Sequence, residues 1–219
     1  MRGLHAVRAA LLAAGLALGA QAVAGEAIEI KAPKVTPVNL AEWDAARMPS
    51  GLASLCKRDP SECQPIPPAS RELAFTSQLW KLVTGVNTSV NRSITATTDR
   101  QLYGVEEYWT LPDKAGDCED FVLLKRKLLA ERGLPRASLL ITVVQDENGE
   151  GHAVLTIPTT AGDLVLDNRR DQVLHWQATG YTFVKRQSAA NPNAWVYLQR
   201  ERLQATNVIA SGPEAPHTK

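Results

Sequence analysis

The sequence predicts an α+β protein. Two stretches carry apolar residues at three-to-four spacing, and after about residue 138 the period changes to two, broken by hairpin turns. Helices first and an antiparallel meander afterwards indicate segregated layers over one core. With 219 residues, 44% apolar and 21% charged, the chain has the size and composition of one soluble domain. It balances 24 Lys+Arg against 23 Asp+Glu, a net charge of +1. That leaves no field to recruit nucleic acid or an anionic membrane, and neither is expected as a partner.

Residues 1–24 read as a secretory signal. Arg2 and Arg8, with His5, precede an apolar run from Ala9 to Ala20, and Ala20-Gln21-Ala22 or Ala22-Val23-Ala24 supplies a small-residue cleavage site. The run is shorter than the roughly 20 apolar residues a spanning helix needs, although an uncleaved anchor is the alternative. Loss of Arg2 and Arg8 would move the net charge from +1 to −1. The expected mature protein is exported to a compartment where disulfides persist.

Residues 25–69 read as an N-terminal extension, polar and Pro-containing to residue 42, then holding a Cys pair. Cys56 and Cys63 flank Asp59-Pro60-Ser61, a turn sequence that can bring the two sulfurs together, so a Cys56–Cys63 disulfide is expected rather than free thiols. Metal binding there lacks neighbouring His or further Cys ligands. Pairing these two leaves Cys118 free, and a free thiol in an oxidising compartment points to reactivity. Gln64-Pro65-Ile66-Pro67-Pro68 ends the extension as loop.

A helix is expected from Ser70, its N-cap, to about Arg92. Leu73, Trp80, Val83, Asn87 and Val90 form its stripe, widened by Leu79, Leu82 and Val86. Residues 97–113 are irregular. A second helix runs from Asp117 to Arg132 with Phe121, Leu124, Leu128 and Leu129 as its apolar face, closed by Gly133 and Pro135. Strands follow at Leu139–Val144, His152–Ile157 and Asp163–Asp167, separated by turns at Glu147-Asn148-Gly149 and at 158–162. Tyr181–Lys185 and Trp195–Leu198 are two more. The domain is expected to span 70–205, with 206–219 a frayed tail.

Chemistry concentrates in Gly116-Asp117-Cys118-Glu119-Asp120 at a helix start, together with His152 and Asp167. The unpaired amides and dipole of a first helical turn favour a thiolate at Cys118 and can serve an oxyanion. His152 lies eight residues before Thr160 and Asp167 seven after it, which makes them cross-strand or diagonal neighbours on one face. A carboxylate orienting an imidazole that faces a thiol follows the nucleophile–base–orienter logic. Of four His, His5 leaves with the signal, His217 sits in the tail, and His175 lacks a matching Asp, so His152 is the expected base and His175 its understudy. Taken singly, His152 at a strand start and Asp167 before a turn are commonplace; the three together are not.

The neighbouring acids oppose a thiolate. One negative charge about 6 Å away costs roughly 3 kcal/mol at an effective dielectric of 20. Asp117, Glu119 and Asp120 together would keep the thiol protonated unless a divalent cation offsets them, and clustered carboxylates suit Ca²⁺. The alternative is that these acids only complement the helix N-terminus.

At these residues the chain resembles a known family. Gly-Asp-Cys118-Glu-Asp, Gly151-His152-Ala153-Val154-Leu155 and Val165-Leu166-Asp167-Asn168 look like the bacterial transglutaminase-like cysteine peptidases, which include periplasmic, calcium-dependent LapG-type proteases. The resemblance extends over about residues 70–170, with the Val86-Asn87 to Ile94 helix end and Tyr108-Trp109. It implies a papain-like, transglutaminase-type core with Cys118 as nucleophile, His152 as general base, Asp167 as orienting carboxylate, and Asp117, Glu119 and Asp120 on calcium. It also implies a protein substrate in the cell envelope, such as a large surface adhesin, and an inner-membrane receptor for cyclic diguanylate as regulator. The Cys56/Cys63 loop and the chain after about Arg170 lie outside these motifs. Acyl transfer to an amine, cell-wall amide hydrolysis and non-catalytic calcium-dependent binding are the competing functions.

Overall fold

The computed structural model describes residues 38–66, 72–191 and 193–199. The signal reading, the lead-in to residue 37, Ser70 and the tail lie outside the described residues.

The chain enters through β1 (Ala45–Ala46) and α1 (Ser50–Arg58), both within the segment read as an extension. Leu52 and Leu55 of α1 are buried in the main core. Cys56 is disulfide-bonded to Cys63, as expected, across a short 3-10 turn capped by Asp59, whose carboxylate accepts from Ser61 N at 3.0 Å. The next helix, α2 (Ser77–Ser93), begins seven residues later than the apolar stripe suggests. Its N-cap is Thr76, which accepts from Leu79 N at 3.1 Å. Leu73, placed on the helical stripe by spacing, is extended instead: its N–H donates to Pro158 O and its carbonyl accepts from Thr160 N, both at 2.9 Å. Main-chain pairing to the 158–162 turn competes successfully with a helical turn there. Trp80 is left 37% exposed, while Val83, Val86, Asn87 and Val90 face inward.

The irregular stretch contains β2 (Thr95–Ala96), α3 (Asp99–Tyr103) and β3 (Ala115–Gly116). Thr98 and Gln101 form a reciprocal capping box on α3, which stops at Gly104 with φ 74°. α4 (Cys118–Glu131) agrees with the expected helix to within a residue at each end. Its burial is wider than the predicted face. Val122, Leu123, Lys125 and Arg126 are covered along with Phe121 and Leu129, because α4 is enclosed by the sheet on one side and α2 on another. Its Arg126 reaches Glu62 in the disulfide loop at 2.9 Å.

The remaining strands are β4 (Leu140–Gln145), β5 (Gly151–Ile157), β6 (Leu164–Asp167), β7 (Arg170–His175), β8 (Thr182–Gln187) and β9 (Trp195–Tyr197). They form an antiparallel sheet in the order β1-β9-β8-β4-β5-β6-β7. β4 to β6 is the expected meander, β7 extends it by one strand, and β8 then returns to the free edge of β4. β7 was not anticipated: Arg-Asp-Gln-Val-Leu-His is too polar to read as a strand, and pairing with β6 supplies what the pattern lacks.

The pleat divides the core in two. Ala153, Leu155, Ile157, Leu164 and Leu166 face α2 and α4. Val144, Val154 and Val165 face the other way, against Leu40, Tyr181, Phe183 and Leu198. β5 and β6 pair Leu155 with Leu166 and Thr156 with Val165. Continuing that register sets Asp167 opposite Val154, diagonal to His152.

Candidate active site

The start of α4 is positioned by the small parallel bridge. Thr95 pairs with Ala115 and Ala96 with Gly116, and Thr97 N donates to Gly116 O at 2.9 Å. At Gly116 the backbone passes so close to Asp120 that an added Cβ would lie 2.6 Å from Oδ2. The chain can therefore turn at extended Asp117 and make Cys118 the first helical residue. Cys118 lines a cleft of about 400 Å³ together with Asp117, Gly151, His152, Asn168 and Arg169. Its half-buried thiol donates to Glu119 Oε2 at 3.1 Å. Burial pushes the Cys118 pKa well up, and the charges of Glu119 and Asp117 push the same way, against the Ala153 amide.

His152 sits one residue into β5, and its Nε2 meets Asp167 Oδ1 at 2.9 Å. Asp167 ends β6 and is nearly inaccessible. Its carboxylate also accepts from Arg169 N at 3.0 Å and from the Tyr181 hydroxyl at 2.7 Å, and Arg170 Nε lies 3.4 Å from Oδ2. Burial opposes ionisation of Asp167, but the His152 bond and charge, with the Arg169 and Tyr181 donors, hold its carboxyl well below the usual range. The cleft thus has Cys118 and His152 in its lining, with Asp167 behind the imidazole. His175, the other histidine weighed as a base, ends β7 opposite Leu164, where its Nδ1 accepts from Gln177 N, and it does not line the cleft.

The acids gather differently from the sequence expectation. Asp99, Asp117 and Glu119 each offer a carboxylate oxygen within 4.8 Å of the others. Asp120 turns instead to Thr110 N at 2.8 Å. Asp99 was missed because nothing in local spacing ties it to a site 18 residues away; the β2–β3 bridge does so in space. Asp99 Oδ2 accepts from Tyr108 N. Glu107, held by Trp109 Nε1 at 2.9 Å, adds a further negative group nearby. Burial lifts the carboxyl pKa of Asp117 to about 6, Glu107 to about 7 and Asp120 to about 8, and raises Asp99 and Glu119 as well. Asp99 Oδ1, Asp117 Oδ1, Glu119 Oε1, Glu107 Oε1 and Asp120 Oδ2 are buried without a hydrogen-bond partner. Orphaned hard oxygens at this density fit a divalent cation such as Ca²⁺.

An α+β core that brings a helix-start cysteine and a sheet-borne His–Asp pair to one cleft defines the papain-like class of folds. The family model of the bacterial transglutaminase-like cysteine proteinases (BTLCP) matches residues 42–203, and the chain belongs to that family. Among solved structures, Legionella pneumophila LapG is similar at 28% identity and a TM-score of 0.43, covering 49% of this chain and 64% of that one. The same protein, EGTA-treated, matches at 28% and 0.43 over 49% and 62%. Its calcium-bound form matches at 25% and 0.46 over 58% and 72%. In the first two the match spans less than two thirds of the LapG chain. No curated protein sequence matches the chain.

Proposed function

We propose that the protein is an exported, periplasmic thiol endopeptidase that uses Cys118, His152 and Asp167 on a protein of the cell envelope. The observation that carries this reading is the shared cleft: Cys118 and His152 both line it, and Asp167 occupies Nε2 of the imidazole. With Nε2 engaged, Nδ1 is the ring nitrogen that can take the thiol proton. The Cys118 sulfur attacks the peptide carbonyl while amides of the first turn of α4 receive the developing oxyanion. The His152 imidazolium protonates the leaving amine, and a water deprotonated by His152 then hydrolyses the thioester. Asp99, Asp117 and Glu119 would hold Ca²⁺, which would supply positive charge to offset the field of the acids at the sulfur.

The test compares new N-termini in isolated envelope proteins after incubation with the wild-type chain and with Cys118→Ala. Cleavage products specific to the wild type are expected. Retained cleavage by Cys118→Ala would exclude the mechanism, and incorporation of a labelled amine without new N-termini would reassign the site to acyl transfer.

A further inference from the structure

We propose that Tyr181, seated by Arg170, is a positioning residue that locks the carboxylate orienting His152. The inference rests on the triad reading above and adds a fourth side chain to it. A carboxylate offers about four acceptor positions; three donors hydrogen-bond buried Asp167, and the Arg170 guanidinium forms an ion pair with it. His152 Nε2 and Arg169 N approach Oδ1, at 2.9 and 3.0 Å; the Tyr181 hydroxyl and Arg170 Nε approach Oδ2, at 2.7 and 3.4 Å. The direction of the Tyr181 bond is set by its other partner. Arg170 Nη2 lies 3.0 Å from the same hydroxyl and can only donate, so the Tyr181 proton is directed at Asp167. The guanidinium carbon also stands 5.1 Å from the centre of the Tyr181 ring, which fixes the pair as a unit.

Tyr181 touches the base as well. Its ring meets that of His152 edge to face, with centroids 5.7 Å apart and planes at 78°. One side chain therefore packs on the imidazole and bonds the carboxylate that orients it. With Oδ2 occupied, Asp167 cannot rotate away from Nε2, and His152 keeps the tautomer that leaves Nδ1 open to the thiol. The backbone supports this placement. Gly180, at φ 79°, turns the chain into β8, and Tyr181 N donates to Thr179 Oγ1 at 3.1 Å. From α2, Asn91 donates to the carbonyls of Asp167 and Arg170 at 2.9 and 3.0 Å, which ties down the turn carrying both residues.

The test uses the full chain in calcium chloride and p-nitrophenyl acetate, an activated ester that needs no peptide recognition. Tyr181→Phe keeps the ring and removes the hydroxyl. It is expected to slow acylation about 10-fold in the wild-type background and to add less than about 2-fold in Asp167→Asn. In Cys118→Ala protein the His152 Nε2–H proton resonance should broaden when Tyr181→Phe is added, through faster exchange with water. Arg170→Gln, which releases the same hydroxyl, should move both readouts and serves if Tyr181→Phe fails to fold. Equal losses in the two backgrounds, or unchanged acylation with a sharp Nε2–H signal, would overturn the positioning role. Unchanged acylation in Asp167→Asn itself would instead bring down the triad reading, and the inference with it.

Discussion

Lys125 shows how much a single buried charge can cost. It lies on α4, is fully covered, and feels the negative charges of Asp167 and Asp171. Burial drives its pKa down to about 7, although both acids pull the other way. A base whose folded pKa lies below its unfolded value of about 10.4 destabilises the fold most below about pH 7, and the cost fades as pH rises toward 10.4. Lys125→Met should therefore raise the melting temperature, by more at pH 6 than at pH 9. A gain independent of pH would mean that packing, not charge, is responsible. Cys118 was readable at the same scale: a lone thiol at a helix start flanked by acids. Tyr181 was not, because a tyrosine opening a strand looks like any other core aromatic until Asp167 Oδ2 is found 2.7 Å from its hydroxyl.

At the scale of elements, α1 and α2 hold the site from outside. Gly51 of α1 lies against the buried Trp109 indole, where an added Cβ would fall 2.2 Å from Cδ1 and 2.5 Å from Glu107 Oε2. Gly51→Ala is expected to cost about 1–3 kcal/mol in urea unfolding, the usual penalty for overpacking. α1 also carries Arg58, which donates to Trp109 O at 2.7 Å. Asn87 of α2 is fully buried and donates to the carbonyls of Arg170 and Asp171, both at 3.0 Å. Asn87→Leu would leave those acceptors without that donor and should destabilise by about 1–3 kcal/mol. The helical period placed Asn87 on the inward stripe; it could not show that the partner was the start of β7, more than 80 residues away.

Across the whole molecule, the disulfide and the acid cluster brace α4 from two sides. The Cys56–Cys63 loop presents Glu62 to Arg126 at 2.9 Å and to Arg136 at 3.3 Å. In the chain-entropy picture a loop this short is worth about 2–3 kcal/mol. Replacing both cysteines with Ser should lower stability by about that amount while the protein still folds. At the other end of α4, chelation with EGTA should lower the melting temperature and slow iodoacetamide alkylation of Cys118, and added Ca²⁺ should restore both. Indifference of metal-free protein to Ca²⁺ in both measurements would remove calcium from the account.

The α+β class, the period-two strands, the disulfide and the Cys118, His152 and Asp167 set were all legible in the linear sequence. Each rests on local chemistry: turn residues, periodicity, a helix start, and two positions eight residues before and seven after the centre of a hairpin turn. That turn limited His152 and Asp167 to cross-strand or diagonal neighbours, and the β5–β6 register made them diagonal. Tertiary structure alone decided the rest. It brought Asp99 beside Asp117 through a two-residue parallel bridge, turned Asp120 toward Thr110, paired polar β7 with β6, and carried Tyr181 and Arg170 to the far side of Asp167. These are contacts between segments whose separation in sequence bears no relation to their distance in space, so their residues leave no periodic trace; burial and hydrogen-bond satisfaction select them only once the layers have packed.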